Sequence, residues 1–206
     1  PFFGRWELAS LAADGLGNIY LSDPLLAKIF VYDSKGGSKT FDIITPARMV
    51  GLPDGGFYAF FLTGPIIGLA EISVQGLLSH ISISLNNIPD DCFVLPNKDI
   101  VMSFDSGEVS LLSVKNSRTT VIVNDPKASF ISIAPDRKNE DQFWLFDQNR
   151  NEIVLKDESD QLIPAAKTEN PGILLPDPEG VLFLEESGKR YLIQAKKTAV
   201  HDWWMR

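Results

Sequence analysis

One cysteine in 206 residues, Cys92, rules out an intrachain disulfide, so the fold has to be held by its core. That usage suits a reducing compartment and many periplasmic proteins alike, and leaves localisation open between the cytoplasm and an extracytoplasmic space. Cys92 stands in Asp-Asp-Cys-Phe-Val and reads as a small buried hydrophobe rather than a reactive thiol. Histidine is almost as scarce. His80 lies in an alternating run and His201 near the C-terminus, which leaves little for a His-built zinc site or a Ser-His-Asp triad. No apolar run reaches the roughly 18 residues of a membrane-spanning helix. The longest, residues 57–70, is broken by Thr63, Gly64, Pro65 and Gly68. Basic residues are outnumbered, 19 against 27 acidic for a net charge of −8, and are nowhere clustered, which argues against nucleic acid as the partner. There is no Cys-x-x-Cys-His, phosphate-binding glycine loop, dinucleotide fingerprint or Asn-x-Ser/Thr acceptor. The chain opens on Pro1-Phe2-Phe3 without a visible signal peptide, as a processed or partial chain would.

What the chain has is a folded protein's balance, 44% hydrophobic and 22% charged, and an internal repeat. Five stretches share one grammar, a turn leading into a strand-like run. The turns at residues 12–18, 51–56, 94–99, 133–141 and 174–180 lead into runs at 19–23, 57–61, 100–105, 143–147 and 181–185. The last turn residues, Gly17, Gly56, Asp99, Asp141 and Gly180, are spaced by 39, 43, 42 and 39. Four of the five turns carry Pro followed by Asp or Asn, which preset a type I turn. Each turn joins two runs into a hairpin. A third run follows at 28–33, 66–74, 108–114, 152–156 and 190–194, and a fourth at 39–44, 78–85, 119–123, 161–165 and 199–204. Four short strands about every forty residues predict an all-β chain, a β-propeller of about five four-stranded blades. The repeats are roughly 9–44, 46–85, 88–123, 127–165 and 171–204 in one domain over 1–206.

The first repeat resembles an NHL-type propeller repeat. Asp14-Gly15-Leu16-Gly17-Asn18-Ile19-Tyr20-Leu21-Ser22-Asp23, then Lys28-Ile29-Phe30-Val31-Tyr32-Asp33-Ser34-Lys35-Gly36, follows that family's pattern. The match is partial in the third and fourth repeats and weak in the second and fifth. The resemblance implies a blade and a binding scaffold rather than a chemistry. NHL-like propellers more often have six blades, so the five repeats form either a complete ring or part of a larger propeller. Residues 1–8 can supply a closing strand for the last blade, and residues 199–204 can fill the same slot.

Loops before the first strand and after the second of each blade are expected on one face. They are rich in carboxylates and amides, the hard oxygen donors that Ca²⁺ takes. Asn87, Asn124 and Asn170 fall at equivalent positions, and with Asp125 they are the candidate metal ligands, in the manner of lactonase-like propellers. Their plainer role is to cap the turn before a proline. The recurring acids Asp23, Asp105 and Asp147 are expected to accept backbone hydrogen bonds, since a catalytic carboxylate pair needs two groups about 5–10 Å apart that a sequence does not reveal. Phe2, Phe3, Trp203 and Trp204 form either a seam between the two ends or a patch for a partner protein. Together these features predict a non-enzymatic, acidic propeller scaffold that binds another protein, without a cofactor. The alternatives are a Ca²⁺-dependent lactonase or esterase-like hydrolase and, more remotely, a carbohydrate-binding propeller.

Overall fold

The structure is a computed structural model that describes residues 10–194 apart from Pro24, Ile44, Thr45, Gly64, Pro65, Ser84 and Glu140. It is all-β, a β-propeller with a sheet at each of the five repeats. Blade 1 is β1 (Leu11–Ala13), β2 (Ile19–Asp23), β3 (Lys28–Tyr32) and β4 (Ser38–Asp42). Blade 2 is β5 (Arg48–Gly51), β6 (Phe57–Thr63), β7 (Ile66–Ile72) and β8 (Leu78–Ile81). Blade 3 is β9 (Asp91–Val94), β10 (Ile100–Ser103), β11 (Glu108–Ser113) and β12 (Arg118–Asn124). Blade 4 is β13 (Phe130–Pro135), β14 (Phe143–Asp147), β15 (Glu152–Lys156) and β16 (Leu162–Lys167). Blade 5 shows β17 (Gly172–Asp177), β18 (Gly180–Glu185) and β19 (Arg190–Ile193), three strands among the described residues. Every pairing is antiparallel between strands adjacent in sequence, as hairpin joints of a few residues dictate. The closing segments foreseen at 1–8 and 199–204, with Phe2, Phe3, Trp203 and Trp204, lie outside the described residues.

The chain divides into two compact units. The first comprises Pro1–Ile88, Pro96–Asp99 and Ser113–Thr119, and so holds blades 1 and 2; the second comprises Pro89–Leu95, Ile100–Leu112 and Thr120–Arg206. In the first unit Ala12, Tyr20, Ile29, Val31 and Phe41 of blade 1 pack on Met49, Phe57, Ala59 and Ile72 of blade 2. These are alternate residues on their strands, which is the period that puts side chains on one face of a sheet. In the second unit Phe93, Val101 and Val109 of blade 3 pack on Ile133, Phe143, Leu145 and Val154 of blade 4. The opposite face of blade 4, with Trp144, Phe146 and Ile153, packs on Leu174, Val181 and Phe183 of blade 5. A blade with neighbours on both sides has to be apolar on both faces, which is why Phe143-Trp144-Leu145-Phe146 is buried without a break.

Within each unit the first strands lie side by side, β1 with β5, β9 with β13, and β13 with β17. Several predicted runs end a few residues early or late, two of them as follows. The alternating run expected to continue to residue 85 pairs only as far as Ile81, opposite Leu69, and leaves the sheet there. The last run of blade 4, expected at 161–165, extends to Lys167, which pairs with Glu152.

Candidate functional site

Side chains that join neighbouring blades start at the first strands. Ser10 Oγ accepts the Met49 amide at 2.8 Å, tying β1 to β5. In the second unit, Asp91 Oδ2 accepts the Ser132 hydroxyl at 2.9 Å and the Ile133 amide at 3.0 Å. Ser132 Oγ in turn accepts the Leu174 amide at 3.0 Å. At β1, β9 and β13, in or just before the first strand, one polar side chain thus satisfies an amide of the next blade in a water-poor place, where an unpaired donor is costly. Asp91 and Ser132 were not singled out in the sequence; their signal is a Ser or Asp recurring at residues 10, 91 and 132, near the start of a first strand.

The motif residues of the first repeat meet at Asp14. Its Oδ1 accepts the amides of Leu16 (3.0 Å) and Asn18 (2.8 Å). Its Oδ2 accepts Asn18 Nδ2 (2.8 Å), the Tyr20 hydroxyl (2.7 Å) and the Gly56 amide of blade 2 (2.9 Å). Burial pushes the carboxyl up, but the donors from Asn18, Tyr20 and Gly56 outweigh it and hold Asp14 below the ordinary carboxylate range. Burial, with the Asp14 carboxylate next to it, drives the Tyr20 hydroxyl well above its ordinary value. Asp33 repeats the turn in the open, taking the Lys35 and Gly37 amides at 2.8 Å each.

The predicted metal ligands are found in different settings. Asn87 is exposed in the first unit, and the other three belong to the second. Asn124 is exposed at the end of β12. Asp125 follows it, and its Oδ2 is held by Arg150 Nη2 at 2.7 Å. That guanidinium keeps the Asp125 carboxyl below its usual range. Arg150 Nη1 also reaches Asp147 Oδ2 at 2.9 Å, and Asp147 is fully buried. Asp147 Oδ1 takes the amides of Ser129 and Asn149, the backbone role expected of it. Asn170 Nδ2 donates to Glu185 Oε2 at 3.3 Å, which also accepts the Ser187 hydroxyl. Asp125 is placed by Gly107, whose carbonyl accepts the Asp125 amide at 2.9 Å. Gly107 has φ +81°, and a Cβ there would stand 1.8 Å from the Asp125 carbonyl oxygen. Among the described residues no three His, Cys, Asp or Glu side chains form a group fit to hold a metal ion.

A different feature has the shape of a binding site. Between the outer strands of blades 1 and 2 runs a groove of about 460 Å³, lined by Asp42, Ile43, Phe61, Gly68, Leu69, Gly76, Leu78 and His80. It opens where β8 stops short of the β6–β7 hairpin, so the paired Phe61 and Gly68 have no outer strand beside them. Glycine at residue 68 leaves space there, since a Cβ would meet nothing within 4 Å. Exposed apolar residues neighbour it along the chain: Ile66, on the same face of the sheet as Gly68, and Leu77 just before β8. The groove was not foreseen, because its width depends on where β8 ends.

No family model matches the chain, and no curated protein matches it in sequence. Solved structures do match in fold. Virginiamycin B lyase from Staphylococcus aureus aligns over 88% of this chain and 64% of its own, with a TM-score of 0.65 and 12% identity. A catalytically inactive form of that lyase with quinupristin aligns over 92% and 70%, with a TM-score of 0.62 and 13% identity. A chain of the mitotic checkpoint complex aligns over 95% and 76%, with a TM-score of 0.66 and 7% identity. The chain thus spans less than two thirds of the first lyase structure. At these identities the likeness is one of fold, and it places this chain among proteins built on a β-propeller.

Proposed function

We propose that this chain is a non-enzymatic propeller module that binds another protein, and that the groove between blades 1 and 2 receives an extended apolar segment of that partner. The groove carries the reading. Its floor is apolar, Asp42 and His80 are its two polar lining residues, and exposed Ile66 and Leu77 neighbour it along the chain. Surfaces that stay in water seldom gather apolar side chains in this way. β8 is the edge strand of its sheet, so its backbone is open to strand addition while Phe61 and Leu78 take alternate side chains.

The blades read best as NHL-type. The Asp-x-x-Gly-Asn-x-Tyr pattern supports this, because Asp14 gathers the amide of Asn18 and the hydroxyl of Tyr20, with Gly17 at φ +81°. The Ca²⁺-dependent hydrolase remains the second reading, drawn from the acid and amide loops. It has Arg150 already seated on Asp125 to contend with.

The test is Leu78→Asp. A partner recovered with the wild-type protein from its source, and identified, should bind the variant at least tenfold more weakly. Unchanged affinity would overturn the groove reading. One tightly bound calcium together with turnover of lactone or ester substrates would replace it with the hydrolase.

A further inference from the structure

The face of blade 1 that points away from blade 2 is apolar, and among the described residues of the first unit nothing buries it. Leu11 is 63% exposed, Ile19 44% and Tyr32 47%, with Leu21 and Phe30 half-buried beside them. Register places these on one side of the sheet: Leu11 opposite Leu21, and Leu21 opposite Phe30. No residue on this face of the four strands is buried.

Blade 4 shows what these positions are for. Ile133 pairs with Leu145 as Leu11 pairs with Leu21, and Leu145 pairs with Val154 as Leu21 pairs with Phe30. Phe143 then matches Ile19. In blade 4 these four residues are 0–4% exposed, because Phe93, Val101 and Val109 of blade 3 lie on them. Blade 1 therefore carries the receiving half of a blade-to-blade joint, with no described residue of the first unit seated in it.

Blade 5 carries the other half. Leu175 pairs with Leu182 as Ala134 pairs with Trp144, and Ile173 pairs with Leu184 as Ser132 pairs with Phe146. Ala134, Trp144, Ser132 and Phe146 are at most 1% exposed, whereas Ile173 is 50% and Leu175 40% exposed.

We infer that the open face of blade 1 is covered by a further propeller blade from outside residues 1–206, packed as blade 3 packs on blade 4. Matching lengths favour this occupant over a copy of blade 5. The two lyase structures leave 36% and 30% of their chains unmatched by this one. That is on the order of two blades at about forty residues each, one for each open face. This joint lies on the side of blade 1 opposite the groove, so either reading can fail without the other.

The experiment places a photoreactive benzophenone side chain at Tyr32 in the protein made in its own source, irradiates it, and sequences the crosslinked peptides. The expected product is a peptide absent from the 206 residues, with alternating aliphatic residues between Asp, Pro or Gly turns. Leu11→Asp, at an exposed position that the isolated blade can tolerate, should reduce that product at least tenfold. A crosslink to any of the 206 residues, whether 173–184 or the terminal segments 1–9 and 195–206, in the same molecule or a second copy, would overturn the inference. So would the absence of any crosslink combined with modification of Leu11→Cys at the rate of an unhindered thiol.

Discussion

Replacing Asp14 by Ala removes one acceptor from five donors. The Leu16 and Asn18 groups are partly exposed and can turn to water. The Tyr20 hydroxyl and the Gly56 amide are in buried bonds and cannot. A buried donor left unpaired costs about 1–3 kcal/mol, so the two together predict a loss of about 2–6 kcal/mol. Asp33→Ala is the control, because it caps the same kind of turn with donors that are all exposed. It should cost far less, because those donors turn to water. At roughly 2–4 °C per kcal/mol for a chain of this size, the two variants separate clearly in thermal melts. Hydrogen exchange in peptides within residues 10–81 would confirm that the loss falls on the first unit. Acid supplies a second readout. Asp14 titrates below its ordinary 3.8 when folded, so its contribution is present above that value and fades as pH falls through the lower folded one. The deficit of Asp14→Ala should therefore be full at pH 7 and shrink only in strong acid. Equal costs for the two variants, or a deficit indifferent to acid, would refute the reasoning.

Gly107→Ala puts a Cβ against the Asp125 carbonyl at a positive φ, and should destabilise the second unit by more than about 2 kcal/mol in denaturant melts. Arg150→Gln should destabilise the second unit only modestly in the same melts, since Asp147 keeps its two amide donors and the lost cation is partly exposed; the Asp125 carboxyl should rise back toward its ordinary range, as NMR titration would show. Tyr58 is pushed up to about 12 by burial and by Glu71, Asp54 and Asp99, so its ultraviolet ionisation step should be missing at pH 11 and restored on unfolding. Because the unfolded tyrosine loses its proton first, stability should fall as pH rises from about 10.

Most of the architecture was legible because a propeller writes its period twice, as a turn every forty residues and as alternation within each strand. The Pro-Asp and Asp-Gly turns fixed where hairpins fold, and Ile19–Asp23 and Phe143–Asp147 came out at their predicted limits. The end of β8 did not, since Ser82-Ile83 alternates as well as His80-Ile81 and only the partner strand decides where pairing stops. The loops were harder. Asn87, Asn124 and Asn170 share a repeat position, yet their settings depend on neighbours brought in by other strands, such as Glu185 beside Asn170. Arg150 illustrates the same limit. It follows Asp147 by three residues and is legible as its partner, but its reach to Asp125 joins two loops 25 residues apart.

We propose that this propeller works by holding another protein. Its most direct test is the mass of the protein isolated gently from its own source, taken once in native form and once denatured. The native mass should exceed the denatured one, with the difference lost when Leu78 is replaced by Asp. Equal masses, or a difference no larger than a bound calcium ion, would contradict it.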